Sequence, residues 1–66
     1  MKVIKVSEII RKLTNDGWFL YRHSGSSHRQ FKHPIKAGKV TVNGKSSSEI
    51  TGDLLKSIEK QSGLIF

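Results

Sequence analysis

The sequence contains no cysteine, so neither a disulfide nor a thiolate metal site can staple it. That fits a reducing compartment. Proline appears once, at Pro34. No apolar run approaches the ~7–15 residues of a signal-peptide core or the ~20 of a membrane span. A cytoplasmic protein with no membrane partner is the expectation. Acidic side chains are also scarce: 5 against 12 lysines and arginines, over a chain of 66 residues. That length makes one domain, residues 1–66, with a small core. It leaves little room for a buried pocket of about 300 Å³ or more.

The acids are unevenly placed. Glu8 and Asp16 precede residue 17, and Glu49, Asp53 and Glu59 follow residue 48. The stretch between holds no carboxylate side chain, yet contains Arg22, Arg29, Lys32, Lys36, Lys39, Lys45 and all three histidines. A region of one sign, long enough to form a sheet, is an electrostatic footprint for phosphate. The other reading is a solvated basic surface, or one that meets an acidic protein.

Periodicity predicts a helix over 7–15, with Ser7 as cap and Val6, Ile9, Ile10 and Leu13 as its apolar stripe. Gly17 suits its C-terminal stop. Three short strands follow, at 18–23, 28–33 and 39–43. The turns Ser24-Gly25-Ser26-Ser27 and Ile35-Lys36-Ala37-Gly38 separate them. Ser46-Ser47-Ser48 reads as a connector. A second helix over 52–61 has Thr51 as N-cap and Gly63 as stop, with Leu54, Leu55 and Ile58 facing one way. Short turns make the sheet an antiparallel meander, and both helices must share one side of it.

Alternation along the strands assigns the faces. Leu20, Phe31, Val40 and Val42 form the inward set, and Trp18 shares the face of Leu20. The outward set is Phe19, Tyr21, Gln30, Lys32, Lys39 and Thr41, with His28 on the same face. Aromatics among cations and amides suit base stacking with phosphate contact; packing at an edge or cover by a partner protein would explain them as well.

His23, His28 and His33 stand five apart, which invites a metal reading. Five is odd, so successive members along a strand face opposite ways, and no carboxylate lies near to complete a site. No metal and no cofactor is expected. RNA cleavage needs less. Attack of a ribose 2′-hydroxyl on its own phosphate requires a base and compensating positive charge. Histidine titrates near pH 6.5 and serves as base or acid. Serine hydrolase chemistry fits poorly, because the acids lie in the helical ends.

The chain carries, in order, Gly17-Trp18, Arg22, Gly25-Ser26-Ser27-His28, Phe31-Lys32-His33-Pro34, Gly38-Lys39-Val40-Thr41-Val42, Leu55-Lys56-Ser57-Ile58 and Ser62-Gly63-Leu64. That series closely resembles the HicA family of toxin–antitoxin ribonucleases, over about residues 5 to 64. The resemblance implies an α+β fold, double-stranded-RNA-binding-like, in the order α-β-β-β-α with a three-stranded antiparallel sheet and both helices on one face. It implies metal-independent endoribonuclease cleavage of messenger RNA with growth arrest, and a HicB-like antitoxin partner that covers the active face. It maps the catalytic histidine to His28. Arg22, Arg29, Lys32, Lys39, Lys45 and Tyr21 are the candidate RNA contacts. The alternative is a non-catalytic RNA-binding module, or a degenerate toxin that acts only by binding. The turn has one serine more than the family's Gly-Ser-His. Arg29 stands where a second histidine often does. Asn43-Gly44-Lys45 replaces a proline and histidine after the third strand, so Lys45 substitutes in charge but not in proton transfer. His33, of the His-Pro pair, is expected to be structural and His23 a surface residue.

Overall fold

A computed structural model describes residues 2–25 and 28–66. Ser26 and Ser27, the second half of the turn expected at Ser24-Gly25-Ser26-Ser27, lie outside the described residues, and Ser24 is the last residue of a strand rather than the start of the turn. The elements run β1 (Val3–Lys5), α1 (Val6–Asn15), β2 (Phe19–Ser24), β3 (His28–Lys32), β4 (Val40–Asn43), β5 (Glu49–Thr51) and α2 (Gly52–Ser62). The protein is α+β, with the three-stranded antiparallel sheet β2-β3-β4 between its two helices in sequence.

The fold adds a pair of strands to the expected order. β1 and β5 pair antiparallel, with Ile4 opposite Ile50, and both isoleucines are buried. Three-residue strands are too short for a period to register in the sequence, and Ser46-Ser47-Ser48 hid the second behind a polar connector. The connector also replaces the expected serine cap. α1 begins one residue early, with Lys5 at the N-cap position and Ser7 inside the helix. The orphan N–H of Val6 donates to the Ser48 carbonyl at 2.9 Å, and that of Ser7 to the Ser46 carbonyl at 3.1 Å. At the other end of the chain Thr51 takes the N-cap position of α2 as expected, and Gly63 closes it in the left-handed region (φ 75°).

The core joins both helices to one face of the sheet. Val6, Ile9 and Leu13 of α1 and Leu55 and Ile58 of α2 are buried together with Phe31, Val40 and Val42. Trp18, Ile4, Ile50 and Phe66 complete the cluster. Burial of a side chain of this size contributes about 1.5–3 kcal/mol. Leu54 departs from expectation: it stays 47 % exposed, because the buried stripe of α2 runs through Leu55, Ile58 and Ser62 and leaves Leu54 on its flank.

Leu20 is also corrected. It pairs with buried Phe31, so it faces the helices as alternation requires, yet it remains 48 % exposed. The reason is topological. β2 is an edge strand and none of its residues is buried. β4 is the other edge, and there the Thr41 N–H donates to Oε1 of Gln61 from α2 at 3.1 Å. Trp18 precedes β2 rather than starting it, and is almost wholly buried.

Candidate nucleic-acid interface

β3 organises the site. Its residues alternate, and Phe31 lies in the core, so His28, Gln30 and Lys32 face away from the helices. Cross-strand partners share a face. His28 stands between Ser24 and Asn43, Gln30 between Arg22 and Thr41, and Lys32 opposite Phe19. The rows are about 6.6 Å apart along the strand.

A bulge in β2 settles which cation joins this face. The register shifts between Leu20 and Arg22, so Tyr21 is the extra residue. Strict alternation from Tyr21 would turn Arg22 toward the helices. With the bulge, Arg22 instead pairs with Gln30, and His23 pairs with Arg29 on the opposite face. Tyr21, Arg22 and His28 therefore come together on one surface.

Three side chains there form a connected unit. The Tyr21 hydroxyl donates to Oε1 of Gln30 at 2.8 Å. The Lys32 ammonium lies 4.6 Å from the centroid of the Tyr21 ring, a cation–π distance. Phe19 and Tyr21 are 47 % and 37 % exposed, enough of each ring to receive a stacked base. His28 is exposed and its imidazole makes no hydrogen bond or ion pair among the described residues. Neither do the side chains of Arg22, Lys39 and Lys45. The only lysine or arginine ion pairs among the described residues are Arg11–Glu8 and Lys36–Asp16. The cations of the sheet face are thus uncompensated by protein carboxylates.

Other predicted residues sit elsewhere. Arg29 pairs with Val42 and so faces the helix side. Its guanidinium donates to the Gly44 carbonyl at 2.9 Å and to the Ser46 hydroxyl at 3.4 Å. It holds the loop that carries Lys45. Lys39 lies one residue before β4, two from Thr41 and hence on the His28 side.

His33 is fastened into the fold at the far end of β3. Its Nδ1 accepts the backbone N–H groups of Ile35 and Lys36, both at 3.0 Å. Nδ1 is therefore unprotonated, and Nε2 carries the proton that it donates to the Asp16 carbonyl at 2.7 Å. The ring packs edge-on against Trp18, centroids 5.2 Å apart. Beside it the Asp16 carboxylate accepts from Lys36 Nζ at 2.6 Å and from the Trp18 indole at 3.2 Å. The Lys36 hydrogen bond, with its charge, holds the Asp16 carboxyl below the ordinary value, against opposing desolvation. Sequence reading missed this cluster, because its members lie 20 residues apart. The His-Pro pair was its only visible trace.

No three metal-ligating side chains gather among the described residues. A depression of about 350 Å³, lined by Lys2, Gly52, Leu55, Lys56 and Glu59, lies beside α2 and contains none of the predicted site residues. No helix among the described residues is long and apolar enough to cross a membrane.

A small α+β protein with an open, cationic sheet face and an exposed imidazole upon it is the class these features define. The sequence matches the HicA toxin family of bacterial toxin–antitoxin systems over residues 6–64, and the chain belongs to that family. Toxin is its role in such a pair, and an antitoxin its implied partner. No curated protein matches the sequence.

Proposed function

We propose that this toxin is an endoribonuclease that cleaves messenger RNA and arrests growth, with His28 as the general acid/base. The observation that carries the reading is the exposed His28 imidazole, without a hydrogen-bond or ion-pair partner among the described residues, on a face that also bears Arg22, Tyr21 and Lys32. His28 accepts the 2′-hydroxyl proton, the 2′-oxygen bonds to phosphorus, and the bond to the 5′-oxygen breaks. The proton passes in sum from the 2′-oxygen to the 5′-oxygen. The products are a 2′,3′-cyclic phosphate and a 5′-hydroxyl. This chemistry needs no metal.

Arg22, Lys32 and Lys39 hold the RNA backbone on the open face, and Tyr21 offers a ring to a base. Arg29 contributes by holding the Gly44–Ser46 loop, which sets Lys45 at the end of β4. A HicB-like antitoxin silences the toxin by covering the same face.

RNA is incubated with chelator present, comparing wild type with His28→Ala. Cleavage by the wild type alone, with cyclic phosphate ends, is the expected result. Equal cleavage by both proteins removes His28 from the role, and a 3′-hydroxyl end excludes 2′-hydroxyl attack. Salt-sensitive binding with no cleavage by the wild type would identify a module that acts by binding.

A further inference from the structure

We propose that Gln30 is a second catalytic residue, whose carboxamide donates to a non-bridging oxygen of the scissile phosphate, and that Tyr21 is the positioning residue that aims it. The inference deepens the nuclease reading and depends on it.

A glutamine amide has one acceptor oxygen and two N–H donors, and on a surface it turns freely. Here it does not. The Tyr21 hydroxyl donates to Oε1 at 2.8 Å, which anchors that end of the amide on the tyrosine and leaves Nε2 at the other. Tyr21 is itself fixed, as the extra residue of the bulge in β2 and by the Lys32 ammonium 4.6 Å from its ring centroid. The result is an oriented pair of N–H groups. Nε2 has no partner among the described residues, which leaves both donors for an acceptor outside the protein.

The place of that acceptor follows from register. Gln30 and His28 share a face two residues apart on β3, roughly 6.6 Å along the strand. A phosphate lying between them meets the imidazole on one side and the amide on the other. Arg22 stands opposite Gln30 and adds full positive charge to the same row. As the 2′-oxygen attacks, charge builds on the non-bridging oxygens, and fixed donors aimed there lower the barrier more than mobile ones. A base carbonyl is the other acceptor an amide could read, but the guanidinium across from Gln30 favours the anion.

The test uses a short RNA with a phosphorothioate at the linkage the wild type cuts, as separated diastereomers. Wild type should cleave one diastereomer more slowly than the other. Gln30→Ala should lower kcat about ten- to a hundredfold with KM nearly unchanged, and the discrimination between diastereomers should collapse toward unity. Gln30→Glu keeps an acceptor for Tyr21 but replaces the donors with negative charge, so it should fall below Gln30→Ala. Tyr21→Phe keeps the ring and its lysine, and should lower kcat about two- to tenfold with weakened discrimination. Circular dichroism spectra matching wild type establish that each variant folds. Wild-type kcat and discrimination in Gln30→Ala overturn the proposal while leaving the nuclease reading intact. So does a changed base preference with unchanged discrimination. Absence of cleavage by the wild type overturns both.

Discussion

Gly17 lies hard against His33: a Cβ at Gly17 would sit 2.8 Å from the His33 Nε2. Gly17 also has a φ of +105°, a conformation L side chains rarely adopt. The glycine that ends α1 is thus the space into which the buried imidazole docks.

Gly17→Ala should therefore destabilise the protein by about 1–3 kcal/mol, through backbone strain and displacement of the ring. Urea denaturation measures it. An unchanged midpoint would mean that the ring moves aside without cost, and that its contact with the Asp16 carbonyl is dispensable.

The two histidines at opposite ends of β3 should separate cleanly. His33→Ala removes a proton donor to Asp16, an acceptor for two backbone N–H groups, and the ring packed on Trp18. It should cost about 2–4 kcal/mol. His28→Ala touches an exposed side chain and should change stability by less than about 0.5 kcal/mol. Parallel urea curves on the two variants check this. A larger loss in His28→Ala would assign that ring a structural role.

Acid stability should depend on Asp16. Its folded carboxyl titrates below the ordinary value of 3.8, chiefly through the Lys36 hydrogen bond. The unfolded state then binds more protons in that range, so this contribution is present above about pH 4 and is lost as pH falls through the folded value. Asp16→Asn and Lys36→Met should each flatten the acid limb of a stability–pH curve while leaving its shape above pH 6 unaltered. An acid limb as steep as that of the wild type would show that other carboxylates set it.

RNA affinity should fall with salt as counterions are released. Arg22→Ala and Lys32→Ala should each lower the log–log slope by about 1. Lys36→Ala should leave it unchanged, because that ammonium is occupied by Asp16 and by the Ser62 carbonyl. Fluorescence anisotropy with a labelled single strand, titrated from ~50 to ~200 mM salt, provides the measurement. A larger loss of slope in Lys36→Ala than in Arg22→Ala would place the binding surface elsewhere.

Much of this was legible in the residues themselves. Five of the seven elements were visible, because their apolar residues recur at helix or strand period. The stripe Val6, Ile9 and Leu13, and the pair Val40 and Val42, are buried as that period requires. The placement of His28 with Gln30 and Lys32 followed from their even spacing on β3. β1 and β5 were not legible, since three residues show no period and their stability comes from pairing across 45 residues of chain. The exposure of Leu20 depends on its strand being an edge, which no local pattern records.

The sequence by itself determined the charge, the order of the main helices and strands, the alternation of β3 and the family, since each is written in residue type and spacing along one segment. Only the tertiary structure decided which side chains share the site. One extra residue in β2 brought Arg22 to the face of His28 and turned His23 away. Cross-strand pairing joined Tyr21 to Gln30 and drew Arg29 to a loop 15 residues distant. Faces and partners of this kind arise from the registry between strands, and registry is a property of segments that meet only when the chain has folded.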